Sequence, residues 1–404
     1  MKPSRLVLLF ALLSLFAVPA GWCARKIDVA QLEELLRTLA QQKRTDTEVA
    51  TALKQVELTE QLARDRMNHL IAASAGRNTT EQLYALEARS ADLTPPASDL
   101  PATPPPDAAA QQAILARAAT YVTGTYEQLR AFTALRTTLR FQDNMEALAA
   151  TSGVAGGGTD VVTGANFSNP ATFIHFINSS QASVAFEHGQ EKPAAEKVKI
   201  LWGANKMIAL IGPPPALGEV FRQAQASGSL AWLRWELVYG RPMAVFSFAV
   251  ANKGTRLPLD VCCFPKLNQT GVARFYNSTD ASVVAGAEAA PGGGGGVTGN
   301  FQSSTEWHHF KTEVPYHGRL FLDPDSGVVV RMIVEMELNP SDVVHQVDTR
   351  FDYGPAPLGS RTAIVPVRSF VNTEVVPNGD SGAGGYKIRH TLFTTQYKDF
   401  VPAP

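Results

Sequence analysis

Cysteine is scarce in this chain of 404 residues: only Cys23, Cys262 and Cys263 are present. An odd count excludes a fully paired disulfide framework, and the adjacent Cys262-Cys263 lacks the spacing of a redox CxxC or of a zinc knuckle. One bridge from Cys23 to Cys262 or Cys263 stays open in an oxidising compartment. Excess charge is missing as well. Lys+Arg number 36 and Asp+Glu 37, for a net charge of -1, so the basic surplus of a nucleic-acid binder is absent. Past the first residues no apolar run approaches the ~20 residues that a spanning helix needs.

Catalytic and metal-binding signatures are equally thin. Gly379-Asp380-Ser381-Gly382 copies the tetrapeptide around the nucleophile of chymotrypsin-like proteases, but no histidine has the context of its base. It sits in a Gly/Ser/Asn stretch where turn chemistry accounts for it. His308-His309, near Glu306 and His317, is an adjacent pair that a strand would point to opposite faces, and there is no HExxH. Asp323-Pro324-Asp325-Ser326-Gly327 lacks the later ligands and closing Glu of a calcium loop. The five glycines Gly292 to Gly296 lack the Lys-Ser/Thr of a phosphate loop. The expectation is therefore no metal, no cofactor and no local catalytic motif.

What is present begins with a targeting signal. Lys2 and Arg5 precede the apolar run Leu6 to Val18, which ends in Val18-Pro19-Ala20. That pattern predicts a secretory signal peptide over residues 1–20, and a mature protein that is periplasmic or secreted with no transmembrane span. Cys23 raises lipid anchoring as an alternative, against which Trp22 stands where a small residue is wanted. Residues 21–93 then read as a small helical domain. Asp28 and Gln31 suit a capping box before Leu32, Leu35, Leu36 and Leu39. Asp46 or Thr47, Thr59 and Thr80 are candidate caps of three more helices. Residues 94–106 hold six prolines and predict an extended linker.

From residue 107 to 404 the chain reads as one antiparallel β domain with few helices and a Gly-rich insert over 268–300. Asp107 caps a helix carrying Ile114, Leu115 and Ala118, and Pro213-Pro214-Pro215 starts another with Leu217, Val220 and Phe221. Thr172–Asn178 and Ala182–Glu187 predict a hairpin through Ser179-Ser180, and Trp232–Tyr239 with Met243–Val250 a strand pair around Gly240. The clearest stretch is Tyr316–Tyr353, a β-meander turning at Asp323–Gly327. Its even residues Val328, Val330, Met332, Val334, Met336 and Leu338 are apolar, while the odd ones, Val329, Arg331, Ile333, Glu335 and Glu337, are mixed and mostly charged. This period of two predicts one buried face and one wet face. Asp348, Arg350 and Asp352 share a face of the following strand. Trp232, Trp235, Phe246 and Phe248, which with Tyr239 make the densest aromatic group, are either core or the lining of an apolar cavity. Together with Val330, Met332, Val334 and Met336 they form the candidate ligand-binding face.

Gly318-Arg319-Leu320-Phe321-Leu322-Asp323-Pro324 with Gly327, then Asp352-Tyr353-Gly354, Leu358-Gly359 and Val365-Pro366-Val367-Arg368-Ser369, resemble the half-barrel of periplasmic lipoprotein carriers and receptors. Taken with Asp46–Ala50, Leu58-Thr59-Glu60 and Arg136–Phe141, the mature chain resembles a family of uncharacterised exported bacterial proteins. The resemblance implies an α+β fold in which a curved antiparallel β-sheet, a half-barrel, wraps a helix; the small all-α domain ahead of it and the Gly-rich insert are where this chain departs from those carriers. It further implies a lipid or lipoprotein as partner; the helical domain is expected to cap the sheet or recruit a protein partner. A fold confers no activity, so three readings stand: a non-enzymatic binding or scaffold protein, a hydrolase assembled from sequence-distant residues, and a structural cell-envelope component.

Overall fold

The computed structural model describes residues 25–91, 93–142, 175–192, 209–210, 215–251, 256–265, 307–339, 342–375 and 389–403. The expected signal peptide 1–20, Cys23, the Gly-rich insert 268–300 and Gly379–Gly382 lie outside them.

Strand β1 (Arg25–Ile27) runs directly into helix α1 (Val29–Gln41), capped as expected by Asp28 in a capping box with Gln31. Helix α2 (Asp46–Lys54) is capped one residue earlier than expected, by Thr45 with Glu48 three residues on. Strand β2 (Val56–Leu58) pairs in parallel with β1, so the N-terminal unit is not purely helical. Thr59 therefore follows a strand rather than opening a helix, and helix α3 begins later (Arg64–Ala72). Helix α4 (Arg77–Arg89) begins ahead of Thr80 because its free N–H groups are met from another helix. The Asp46 carboxylate accepts from Asn78 N at 2.9 Å and from Thr79 N at 2.8 Å. Gly76 leaves room for it, since a Cβ there would lie 2.8 Å from the Asp46 carboxyl carbon. Ile27, Leu32, Leu53, Leu62, Met67 and Leu83 form the core of this unit.

Residues 94–106 are tied down rather than free. Pro95 and Pro96 are buried, Gln61 N donates to Thr94 O at 2.9 Å, and Arg66 reaches Ser98 and Asp99. Helix α5 (Ala108–Tyr121) starts on its Asp107 cap and widens into a π turn at Val122–Tyr126. Strands β3 (Phe132–Gln142), β4 (His175–Glu187), β5 (Gln190–Glu191) and β6 (Ala209–Leu210) precede helix α6 (Leu217–Ala226). The remainder is strand: β7 (Ala231–Val238), β8 (Arg241–Val250), β9 (Leu257–Pro265), β10 (Trp307–Val314), β11 (Tyr316–Leu322), β12 (Val329–Met336), β13 (Val344–Leu358), β14 (Arg361–Val375) and β15 (Arg389–Pro402).

Among the described residues ten strands form one curved, unclosed antiparallel sheet in the order β5-β4-β3-β15-β14-β13-β12-β11-β8-β7. A smaller sheet, β10-β9-β6, stands beside it. The expected hairpin at Ser179-Ser180 is instead one uninterrupted strand. β4 pairs with β3 from Phe186 down to His175, with Ser180 opposite Thr138, so no turn forms there. The turn at Asp323–Gly327 is as expected: Asp323 accepts from Asp325 N and Ser326 N, and Gly327 takes a φ of 74°. Arg117 and Ala118 of α5 press on Gly327, where a Cβ would lie 2.3 Å from the Arg117 carbonyl carbon.

The two faces of the sheet are covered differently. On what we call the core face, Met332, Val334 and Met336 meet Ile114 and Ala118 of α5 and Leu217, Val220 and Phe221 of α6. The opposite face carries α4, whose Ala85 and Ala88 join Phe141, Phe370 and Leu392.

Because the Asp46 carboxylate caps the first turn of α4 from a neighbouring helix, Asp46→Ala should cost about 1–2 kcal/mol. Thermal melts of the two proteins would show it as a lowered Tm.

Candidate functional site

The apolar residues singled out in the sequence are brought together, with one exception. Phe246, Phe248, Met332, Val334 and Met336 are buried in a single cluster, with Trp232 and Trp235 half-buried against it. Trp232 meets Trp235 and Phe246 edge-on, at centroid distances of 4.9 and 5.6 Å. The indole N–H of Trp235 donates to the Pro104 carbonyl at 2.9 Å, so the proline segment runs against this sheet edge. Val330 departs from the pattern. A bulge between Phe321 and Leu322 leaves it without a cross-strand partner and puts Val329 in the core in its place. Val330 packs in a separate cluster with Val245, Phe321 and Ile333. Met332 and Val334 have no exposure at all, and α5 and α6 occupy the space above them. This face is a filled core.

The opposite face holds the chemistry. Asp352 is wholly buried and surrounded by three guanidiniums. Its Oδ1 accepts from Arg331 Nε at 2.7 Å and Arg350 Nε at 3.2 Å, and its Oδ2 from Arg368 Nε at 3.0 Å. The other Arg368 branch donates to Glu87 Oε1 of α4 at 3.1 Å, and Arg64 Nη2 lies 2.6 Å from Glu87 Oε2. Arg350 also reaches the Ala91 carbonyl at 3.3 Å. On the far side Arg331 approaches Glu236, whose other oxygen takes both Arg234 donors. The Phe370 ring lies under both Arg350 and Arg368, with centroid distances of 5.2 and 5.0 Å. The network thus links the N-terminal unit to the sheet through side chains that alternation alone assigns to water. Arg331 and Arg350 are only 6% and 3% exposed.

Burial pushes the Asp352 carboxyl upward, but Arg331 and Arg350 outweigh it and hold the group below the usual carboxylate range. Glu87 is the opposite case. Burial dominates and lifts it to about 7, against the pull of Arg64 and Arg350.

Along the same face the polar strip opens into a cleft of about 460 Å³, lined by Leu233, Ser247, Phe248, His317, Gly318, Arg319, Glu335, Gln346 and Asp348. Glu335 is its hub, accepting from Arg319 at 2.9 Å on Oε1 and facing His317 Nε2 at 3.0 Å on Oε2. The other ring nitrogen of His317 lies 3.3 Å from Glu337. Gln346 donates to Asp348. Gly318 is required at the base: a Cβ there would lie 2.0 Å from the Ile333 carbonyl oxygen and 2.7 Å from the Phe248 ring. Among the described residues no group of three or more His, Cys, Asp or Glu could hold a metal ion, and no helix is long and apolar enough to cross a membrane. Cys262, on β9, is disulfide-bonded.

No known protein family matches this chain, nor does any curated protein or solved structure.

Two outcomes follow from the network. Asp352→Ala would strand three buried guanidiniums and should cost about 3–5 kcal/mol, read as a lowered midpoint in urea. Glu87, raised from 4.5 to about 7, keeps its proton in the folded chain while the unfolded chain loses it. Its contribution to stability should therefore fall as pH rises from 4.5 to about 7 and stay level above that. Urea melts of wild type and Glu87→Gln at pH 5 and pH 8 check this: the variant should gain on wild type at the higher pH.

Proposed function

We propose that this is an exported binding or scaffold protein without catalysis of its own, a half-barrel that presents its polar cleft to a partner while the N-terminal unit stays clamped to the same face. The observation that carries this reading is how the cleft's charges are engaged. Arg319 and His317 Nε2 converge on Glu335, while His317 Nδ1 lies 3.3 Å from Glu337 without a hydrogen bond. Walls pre-paired in this way are fixed in shape, which suits recognition of a polar group. Leu233 and Phe248 add apolar contact beside them. Export is inferred from the basic and apolar segments at the start of the chain.

A lipid or acylated partner, as the half-barrel resemblance implies, would have to displace helix α6 from Phe246 and Met332 before an acyl chain could enter the core face. The hydrolase reading has one observation in its favour, that Ser247, His317 and Glu335 line a single cleft. Ser247 nevertheless donates to the Ala231 carbonyl at 3.4 Å.

The protein purified without detergent, analysed by native mass spectrometry and solvent extraction, separates these readings. The expected result is a polar ligand or protein partner whose binding is at least tenfold weaker in Arg319→Ala. A co-purifying acyl lipid indifferent to that substitution would move the site to the core face. Ester or amide hydrolysis lost in both Ser247→Ala and His317→Ala would replace binding by catalysis.

A further inference from the structure

The large sheet ends in two edges, and they are guarded differently. At one edge β7 carries a bulge between Trp232 and Arg234, the charges of Arg234 and Glu236, and the proline segment against Trp235. Bulges, charges and covering segments are the devices that keep a sheet edge from pairing with another chain. Towards the other edge β4 lacks them along most of its length. It pairs with β3 from Phe186 to His175. On its outer side β5 meets only Phe186 and Glu187, and Lys192 N donates to the Ala185 carbonyl at 2.8 Å. From Asn178 to Val184 no strand among the described residues lies on that side.

This open stretch reads Asn178-Ser179-Ser180-Gln181-Ala182-Ser183-Val184, without a charge, a proline or a glycine. It is roughly 20 Å long at the rise of a strand, and both its ends are closed. A bulge leaves Ile177 without a partner on β3, and β5 stands at Phe186. Its midpoint is Gln181. Ser179, Gln181 and Ser183 are exposed on the face that carries α4, where Ser179 neighbours Leu139, while Val184 packs with Phe132 on the other.

Reversed about Gln181, the stretch matches itself. Ser179 falls opposite Ser183, Ser180 opposite Ala182, Asn178 opposite Val184, and Gln181 opposite its own copy. No like charges meet, which is what opposed strands require. The serine hydroxyls and the Gln181 amide, one N–H of which donates to Thr137 Oγ1 at 3.3 Å, both donate and accept.

We propose that β4 is the seat of a two-fold dimer, in which the Asn178–Val184 edge pairs antiparallel with the same edge of a second copy about an axis through Gln181. Such pairing uses one patch twice and closes on itself, so it stops at two copies. The register is set by the closed ends, because β5 of one copy bars Phe176 of the other from a place opposite Phe186. An axis perpendicular to the sheet keeps the α4 faces of both copies on one side. The two Glu335 clefts then open the same way, and a partner with two matching groups gains by engaging both. The pairing uses no residue of the cleft and stands whatever the cleft binds.

The test is sedimentation equilibrium of the protein from about 1 to about 200 μM, since a pairing this short lies at the small end of specific interfaces and should be concentration-dependent. The expected result is a monomer converting to a dimer, with dissociation at least tenfold easier in Gln181→Lys, which sets two like charges on the axis. Ala231→Lys, at the β7 edge, should leave the dimer unchanged. Gln181→Glu, isosteric with the native residue, should weaken the dimer at pH 7 and covers failure of the lysine variant to fold. A protein that stays monomeric throughout, a dimer unmoved by either Gln181 variant, a dimer lost in Ala231→Lys, or an open-ended series beyond two copies would each overturn the proposal.

Discussion

Everything on the second face of the sheet depends on how one carboxylate is held. Asp352 has no exposure, so the three guanidiniums around it are what make its charge tolerable. The guanidiniums in turn need more than Asp352. Arg368 spends its other branch on Glu87, and Arg350 spends one on the Ala91 carbonyl, both in the N-terminal unit. The sheet is therefore electrostatically incomplete without α4 above it. Such networks add little net stability compared with an apolar core of the same volume, but losing one member is costly. Their effect is on geometry: α4 has one seating that satisfies Arg64, Arg350 and Arg368 together.

The two faces of the curved sheet are occupied differently. The face lined by Met332 and Val334 is already occupied by α5 and α6, with Tyr316 bonded to Gln223 as a pin between strand and helix. Available polar surface lies on the other side, where Arg319, Glu335 and Asp348 continue the charged strip past the edge of the helical unit. The strip runs from fully buried at Asp352 to half-exposed at His317 within the width of three adjacent strands, β13, β12 and β11. That gradient places a rigid anchor next to a solvent-reached wall.

Much of this architecture was legible in the residues, and the failures have physical causes. The alternation from Val328 to Leu338 identified the meander and its buried side, because a period of two survives wherever one face packs on apolar helices. Val330 fell on the wrong side because a bulge shifts the register by one residue, and nothing in the local composition marks it. Arg331, Arg350 and Asp352 were legible as one polar face but not as a buried one. Burial there comes from a helix far away in sequence, 281 residues separating Glu87 from Arg368, and only that acid hints at the partnership. The helix starts near Asp28 and Asp107 followed their caps, whereas α4 begins at a cap supplied by Asp46, which no reading of contiguous residues supplies. The run through Ser179-Ser180 resembled a turn because its small polar residues suit one, yet pairing with β3 along its length overrides that preference.

The proline-rich segment between the two units has a consequence for how they can part. It is fastened at one end where Gln61 holds Thr94, and at the other where Trp235 holds Pro104. Chain connection across so short a span keeps a detached unit at an effective concentration of order millimolar near its own seat. Release of α4 from the sheet is then a brief local opening with immediate recapture, so a competitor for the charged face must outbid a neighbour that never diffuses away.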